Sequence, residues 1–176
     1  MKHPTFFRRL TTLVVVIAVA PTSMAQTCVP GVQATNPTSV YTIDTANGTV
    51  TDTRTGLMWD RCARGLSGSS CTTGTAATFT WQAALDATAL IGSYKGYSDW
   101  RLPNIKELNS LIEVCRSNPA INEFAFPSTP TSEFFWSSSP VLSAPAFAWD
   151  VDFDGGYTLG ANRNTSERIR LVRGRL

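Results

Sequence analysis

Asp150, Asp152 and Asp154, spaced by two and followed by Gly155, copy the opening of a calcium loop. A loop of that type needs a bidentate glutamate at its twelfth position, which counted from Asp150 is Ala161. Strand alternation accounts for the same spacing. A looser carboxylate site on a sheet face stays open, but no metal ligand set and no cofactor are assigned. Arg163, Arg168, Arg170, Arg173 and Arg175 make a basic cluster. Guanidinium forks suit sulfate and carboxylate groups, so an exposed cluster would favour sulfated polysaccharides. The bland alternative is a solvated strand face pairing with Asp44, Asp52 or Asp60. Arg163, Arg168 and Arg170, together with Tyr157 and Asp154, are the candidate ligand-binding residues.

Nucleophilic chemistry finds little support. Trp136-Ser137-Ser138-Ser139 places serines in a row, yet no G-x-S-x-G elbow and no Ser-x-x-Lys accompanies them. The single histidine, His3, sits in an N-terminal stretch that reads as a secretory leader. Without it there is no Ser-His-Asp or Cys-His catalysis and no histidine-ligated zinc. The expectation is that the chain is no enzyme. The alternatives kept are a carboxylate-based glycan hydrolase, which needs two facing acids, and a formylglycine-type oxidase, which needs free thiols.

The leader covers residues 1–25. Lys2, Arg8 and Arg9 begin it, an apolar run from Leu13 to Ala20 follows, and Ser23-Met24-Ala25 supplies small residues before Gln26. The run is too short for a membrane span. Its removal leaves 12 basic against 13 acidic residues, a net of −1 where the whole chain of 176 residues carries +2. A near-neutral chain argues against nucleic-acid partners, whose phosphates demand positive charge. An exported chain, periplasmic or extracellular, is expected to oxidise its four cysteines. Cys62 and Cys71 flank a Gly/Ser-rich loop and are paired in this reading, which leaves Cys28 with Cys115. The spacings are not those of CxxC zinc sites.

Several elements must position these groups. Residues 26–39, rich in Pro, Thr and Asn, form an extended arm, and residues 40–176 a single domain. Val40–Ile43 reads as a strand, Asn47-Gly48 as a two-residue hairpin turn, and Thr49–Asp52 and Leu57–Trp59 as further strands. Thr80 caps a helix with Trp81, Ala84, Leu85, Thr88 and Ala89 at helical spacing. Asn104 and Glu107 form a capping box for a second helix, whose face is Ile105, Leu108, Leu111, Ile112 and Cys115. Trp100 and Leu102 are core residues, Arg101 pairs with Glu107 or Asp99, and Pro103 sets the helix start. Phe134–Ser139, Phe147–Asp154, Tyr157–Leu159 and Arg168–Arg173 read as strands. In the third segment Phe147, Trp149, Val151 and Phe153 alternate against Ala148 and the three aspartates. Trp59, Trp136 and Trp149 are assigned structural roles. Strands, then two helices, then strands indicate an α+β class.

DTRTGLMWDR at 52–61, TWQAAL at 80–85 and DWRLPNIKELNSLIE at 99–113 occur in this order. PAIN at 119–122, FPST at 126–129, FWSSS at 135–139, AWDVDF at 148–153 and IRLVRG at 169–174 follow. This ordered set, spanning nearly all of residues 50–174, resembles the Lcl C-terminal domain family. That family is a C-type-lectin-like module of bacterial exported proteins, named for a collagen-like adhesin and long treated as a domain of unknown function. The resemblance implies a C-type-lectin-like fold with paired termini, two flanking helices, short antiparallel sheets and long irregular loops. It also implies adhesion to carbohydrate or glycosaminoglycan. The RLP element and the closing RLVR are similar to parts of formylglycine-generating enzymes. Collagen repeats are absent. The combined expectation is a non-enzymatic binding or adhesion module for a glycan or a surface protein, displayed on loops 128–134, 140–146 and 154–167. A structural envelope or appendage role is the alternative, and the sequence sets no oligomeric state.

Overall fold

The computed structural model describes residues 27–174, so the leader and Arg175 lie outside the described residues. Among these residues no helix is long and apolar enough to cross a membrane. The class is α+β. A 3-10 turn at Thr38–Val40 leads into a meander of β1 (Tyr41–Asp44), β2 (Thr49–Asp52) and β3 (Met58–Asp60). Ile43, Val50 and Trp59 are in register on the core face, and Thr42, Thr51 and Met58 share the other. The β1–β2 turn is longer than expected, because Asp44 pairs with Thr49 and encloses four residues. The Asp44 carboxylate shapes this turn by accepting from Asn47 N and Asn47 Nδ2.

The next loop carries a ribbon of β4 (Leu66–Ser67) and β5 (Thr73–Gly74), clipped by the Cys62–Cys71 disulfide. Gly65 and Gly74 let its strands touch. A Cβ at either would lie 2.2 Å and 2.4 Å from a carbonyl oxygen of the other arm. The short β6 (Thr78–Phe79) runs into α1 (Trp81–Ala89), where the Thr80 side chain accepts from Ala83 N as the sequence indicated.

The second helix, α2 (Ile105–Asn109), has the expected capping box but stops six residues before Cys115. Leu111, Ile112 and Cys115 are buried nonetheless. Their spacing recorded burial on a chain that turns under the core, and Ile112 bridges Ile121 there. Glu113 draws the chain out of helix. Its carboxylate accepts from Thr35 N, Thr35 Oγ1, Asn36 N and Cys115 N. From the arm Asn36 Nδ2 donates to Ile112 O, Asn122 Nδ2 donates back to Asn36 O, and Cys28–Cys115 is the second disulfide. The extended arm is therefore a strap fixed to the domain.

The remaining strands are β7 (Phe135–Pro140), β8 (Phe147–Asp152), β9 (Tyr157–Asn162), β10 (Glu167–Arg168) and β11 (Val172–Arg173). Five form a sheet in the order β6-β10-β7-β8-β9, and β1-β2-β3-β11 form the other. The strand expected over Arg168–Arg173 is thus split between two sheets. Ile169, Arg170 and Leu171 join the halves, each at most 1% exposed. Both faces of this segment are covered, so its alternation sorts no side chain to solvent. The last strand returns to the N-terminal sheet beside β3, but the expected pairing of the termini is not found, since β1 and β11 are the sheet's opposite edges.

Each face of the five-stranded sheet carries its own core. Ala84 of α1 packs with Trp100, Leu102, Trp136 and Ala148 on one side. Leu108 of α2 packs with Trp59, Phe126, Phe135 and Phe153 on the other. Arg101 donates one hydrogen bond of 2.7 Å to each oxygen of Glu107, while Asp99 takes Arg173. Pro103 O accepts from Ser138 N, tying the start of α2 to β7. Trp149, expected to be structural, is instead only half-buried, beside Ile105, Lys106 and Thr158, and belongs to neither core.

Candidate functional site

Three recesses differ in whether their polar groups are free. The groove of about 550 Å³ between the strap and α2 is lined by Arg54 and Asn36. There Arg54 is already held by Asp52, Asn36 and Thr35 O. The groove of about 420 Å³ on the outer face of β1–β3 is lined by Lys95, whose ammonium is bound to Asp60 and Gly48 O.

The third recess, about 140 Å³, lies where β8 turns into β9 and is lined by Glu133, Phe134, Asp152, Asp154 and Tyr157, with Thr131 and Ser132 at its edge. Asp152 ends β8 and accepts from Asp154 N and Gly155 N, which fixes the turn. This leaves the Asp154 carboxylate exposed at the rim, with no hydrogen bond among the described residues. Tyr157 stands opposite Asp152 in the β8–β9 register. Its ring meets Phe134 edge-on at 6.3 Å and is 48% exposed.

Two further carboxylates lie on the same face of the sheet. Asp150 is fully buried, and neither oxygen has a well-formed hydrogen bond. Burial, with a smaller push from Asp152, raises its pKa to about 6. Glu167 accepts from Phe134 N, and burial, then Asp150, pushes it up to about 7. Among the described residues no group of three or more Asp, Glu, His or Cys is arranged to hold a metal ion.

The sequence-derived ligand residues are only partly brought together. Asp154 and Tyr157 line the acidic recess. Arg168 borders it but is paired with Glu133 and donates to Ala76 O. Arg163 lies away from it, 4.2 Å over the Trp81 ring and donating to Phe147 O. Arg170 does not reach the surface and is no ligand residue. It is wholly buried, donates to Asp60 O, Arg61 O and Thr129 Oγ1, and stacks 4.8 Å from the Phe126 ring centre. Burial pulls its pKa down to about 10. Arg173 pairs with Asp99 and covers Tyr97. The arginines are therefore dispersed among separate structural partners. None of these is Asp44, Asp52 or Asp60 through its carboxylate; Asp52 takes Arg54 and Asp60 takes Lys95.

Glu133 and Glu167 were not singled out from the sequence. Glu167 is the sole acid after Asp154, a signal that it faces carboxylates rather than surface arginines only once the strand order is known. A family model described as the Lcl C-terminal domain matches residues 48–173. The chain belongs to the Lcl C-terminal domain family. The match runs from the β1–β2 turn through β11 and contains every residue of the acidic recess, while the strap and β1 precede it. No curated protein matches this Lcl C-terminal domain chain.

Proposed function

We propose that this Lcl C-terminal domain is an exported, non-catalytic binding module that takes neutral, hydroxyl-rich glycans in the recess of Glu133, Asp152, Asp154 and Tyr157. The observation that carries the reading is the free Asp154 carboxylate beside the exposed Tyr157 ring and the half-buried Phe134 ring at a sheet end. Ionised carboxylates accept charge-assisted hydrogen bonds from hydroxyls, roughly twice as strong as neutral ones. The Phe134 and Tyr157 rings offer apolar faces to the C–H side of a sugar ring. At about 140 Å³ the recess suits one ring or a chain end. With Glu133 paired to Arg168, the Asp152 and Asp154 carboxylates still repel sulfate, so the sulfated-polysaccharide version is set aside for a neutral ligand. Two disulfides support an oxidising, exported setting.

Two observations favour binding over turnover. The Asp150 oxygens are shut off from solvent, so a substrate oxygen has no path to that raised-pKa acid. All four cysteines are in disulfides, so a formylglycine-type oxidase lacks its thiols.

A glycan array of the disulfide-bonded chain tests the proposal. Binding to unsulfated glycans is expected, weakened by at least about tenfold in Asp154→Asn and Tyr157→Ala. A profile dominated by sulfated glycans, or one indifferent to both substitutions, overturns it.

A further inference from the structure

The edge of the five-stranded sheet is unusually bare. β9 (Tyr157–Asn162) is its outer strand, and among the described residues no strand or loop bonds to its free side. Edge strands are ordinarily blunted by charges, proline, bulges or shortness, because their open N–H and C=O groups template pairing with another chain. β9 has none of these. Its six residues, Tyr-Thr-Leu-Gly-Ala-Asn, carry no charge and no proline. Its register with β8 is unbroken from Phe147↔Asn162 to Asp152↔Tyr157, whereas β7 and β8 shift between Trp136 and Pro140. The sheet's opposite edge, β6, is only two residues long. Tyr157 and Leu159 stand 48% and 45% exposed on one face of β9.

We propose that β9 pairs antiparallel with β9 of a second copy of this chain, about a two-fold axis at Leu159, to give one continuous ten-stranded sheet. The occupant follows from the strand's fit to itself. In a continuous antiparallel sheet, paired residues must point to the same face, so the register sum is even. Centring on Leu159 sets Leu159 against Leu159, bulky Tyr157 against small Ala161, and Thr158 against Gly160. No charge meets its like within the strand. At each end Arg163 comes level with Gly155 of the second copy, next to Asp154. The Arg163 guanidinium is turned back over Trp81 and Phe147 O, so the paired strands meet as neutral residues along their whole length. Such an isologous contact closes on itself and does not propagate into filaments.

Multi-angle scattering on the full disulfide-bonded chain tests this. The wild type is expected to be a concentration-dependent dimer. Leu159→Lys and Leu159→Glu each place like charges across the axis, and each alone should associate at least about tenfold more weakly. Leu159 is exposed, so both variants should keep the parent's circular dichroism and melting point. Mixing the two in equal amounts should restore a dimer, because position 159 then faces its opposite charge. A wild type that stays monomeric throughout, single variants that still dimerise, or a mixture that stays monomeric overturns the proposal. Leu159 lies outside the acidic recess, so glycan binding by monomeric variants separates this result from the fate of the proposed function.

Discussion

Asp150 and Glu167 are buried acids whose charged forms lack adequate partners, and this reverses the usual response of a protein to acid. A carboxyl whose pKa rises on folding binds its proton more tightly in the native state. Stability from such a group is present below the unfolded value and is lost as pH climbs through the folded one. For Asp150 the window runs from the ordinary 3.8 to about 6. For Glu167 it runs from 4.5 to about 7. Glu107 and Glu113 work in the opposite sense, since their hydrogen bonds and, at Glu107, the Arg101 guanidinium outweigh burial and hold their pKa values down. Urea denaturation is therefore expected to find highest stability near the acid end of the neutral range, with a decline toward pH 8. Asp150→Asn should flatten that decline by on the order of 3 kcal/mol. An unaltered slope in Asp150→Asn would show that the group is not protonated on folding. Neither acid was legible as buried, because period-two alternation names two faces without saying which is covered. At β8 both are covered: Ala148 packs in the cluster that holds Ala84 of α1, Asp150 is fully buried on the same side, and Val151 lies in the main core.

Among elements, the caps were read most reliably. Thr80, Asn104 and Glu107 act through neighbours within three residues, and such contacts need no knowledge of the fold. The extent of α2 was not legible, because what ends it is Glu113 accepting from a strap almost eighty residues upstream. The arginine-rich closing segment failed for a related reason. Its solvent face is removed by two sheets that only the whole topology brings together. Glu107 also shows an element working beyond itself. It completes the capping box and holds Arg101, whose backbone bridges Val172 of the other sheet. Glu107→Ala should accordingly cost about 2–3 kcal/mol, more than the ~1 kcal/mol typical of a lost cap, since Arg101 is left half-buried and unpaired. Arg101→Ala alone, compared in a double-mutant cycle, apportions the two contributions.

For the whole molecule, the two disulfides were placed correctly by parity and loop composition, and they close loops of very different size. Cys28 and Cys115 are separated by 87 positions, Cys62 and Cys71 by 9. Chain entropy assigns roughly 4–5 kcal/mol to the long closure and about 2–3 to the short one. Removing the long bridge by Cys28→Ser with Cys115→Ser should lower the urea midpoint more than removing the short bridge. The strap should remain docked at low denaturant through Glu113 and Asn122. Equal losses would place the stabilisation in native contacts instead.

The run from Glu167 to Arg173 has a consequence for how the chain becomes a structure at all. β3 waits for a neighbour more than a hundred residues downstream, and β7 waits for β10. A nascent polypeptide lacking this stitch has two open half-sheets and an unfilled slot between them, so it cannot lock prematurely. Long-range closure of this kind is slow. Slowness here keeps both half-sheets open until the last stretch of polypeptide arrives, so the molecule closes in a single late event instead of sheet by sheet.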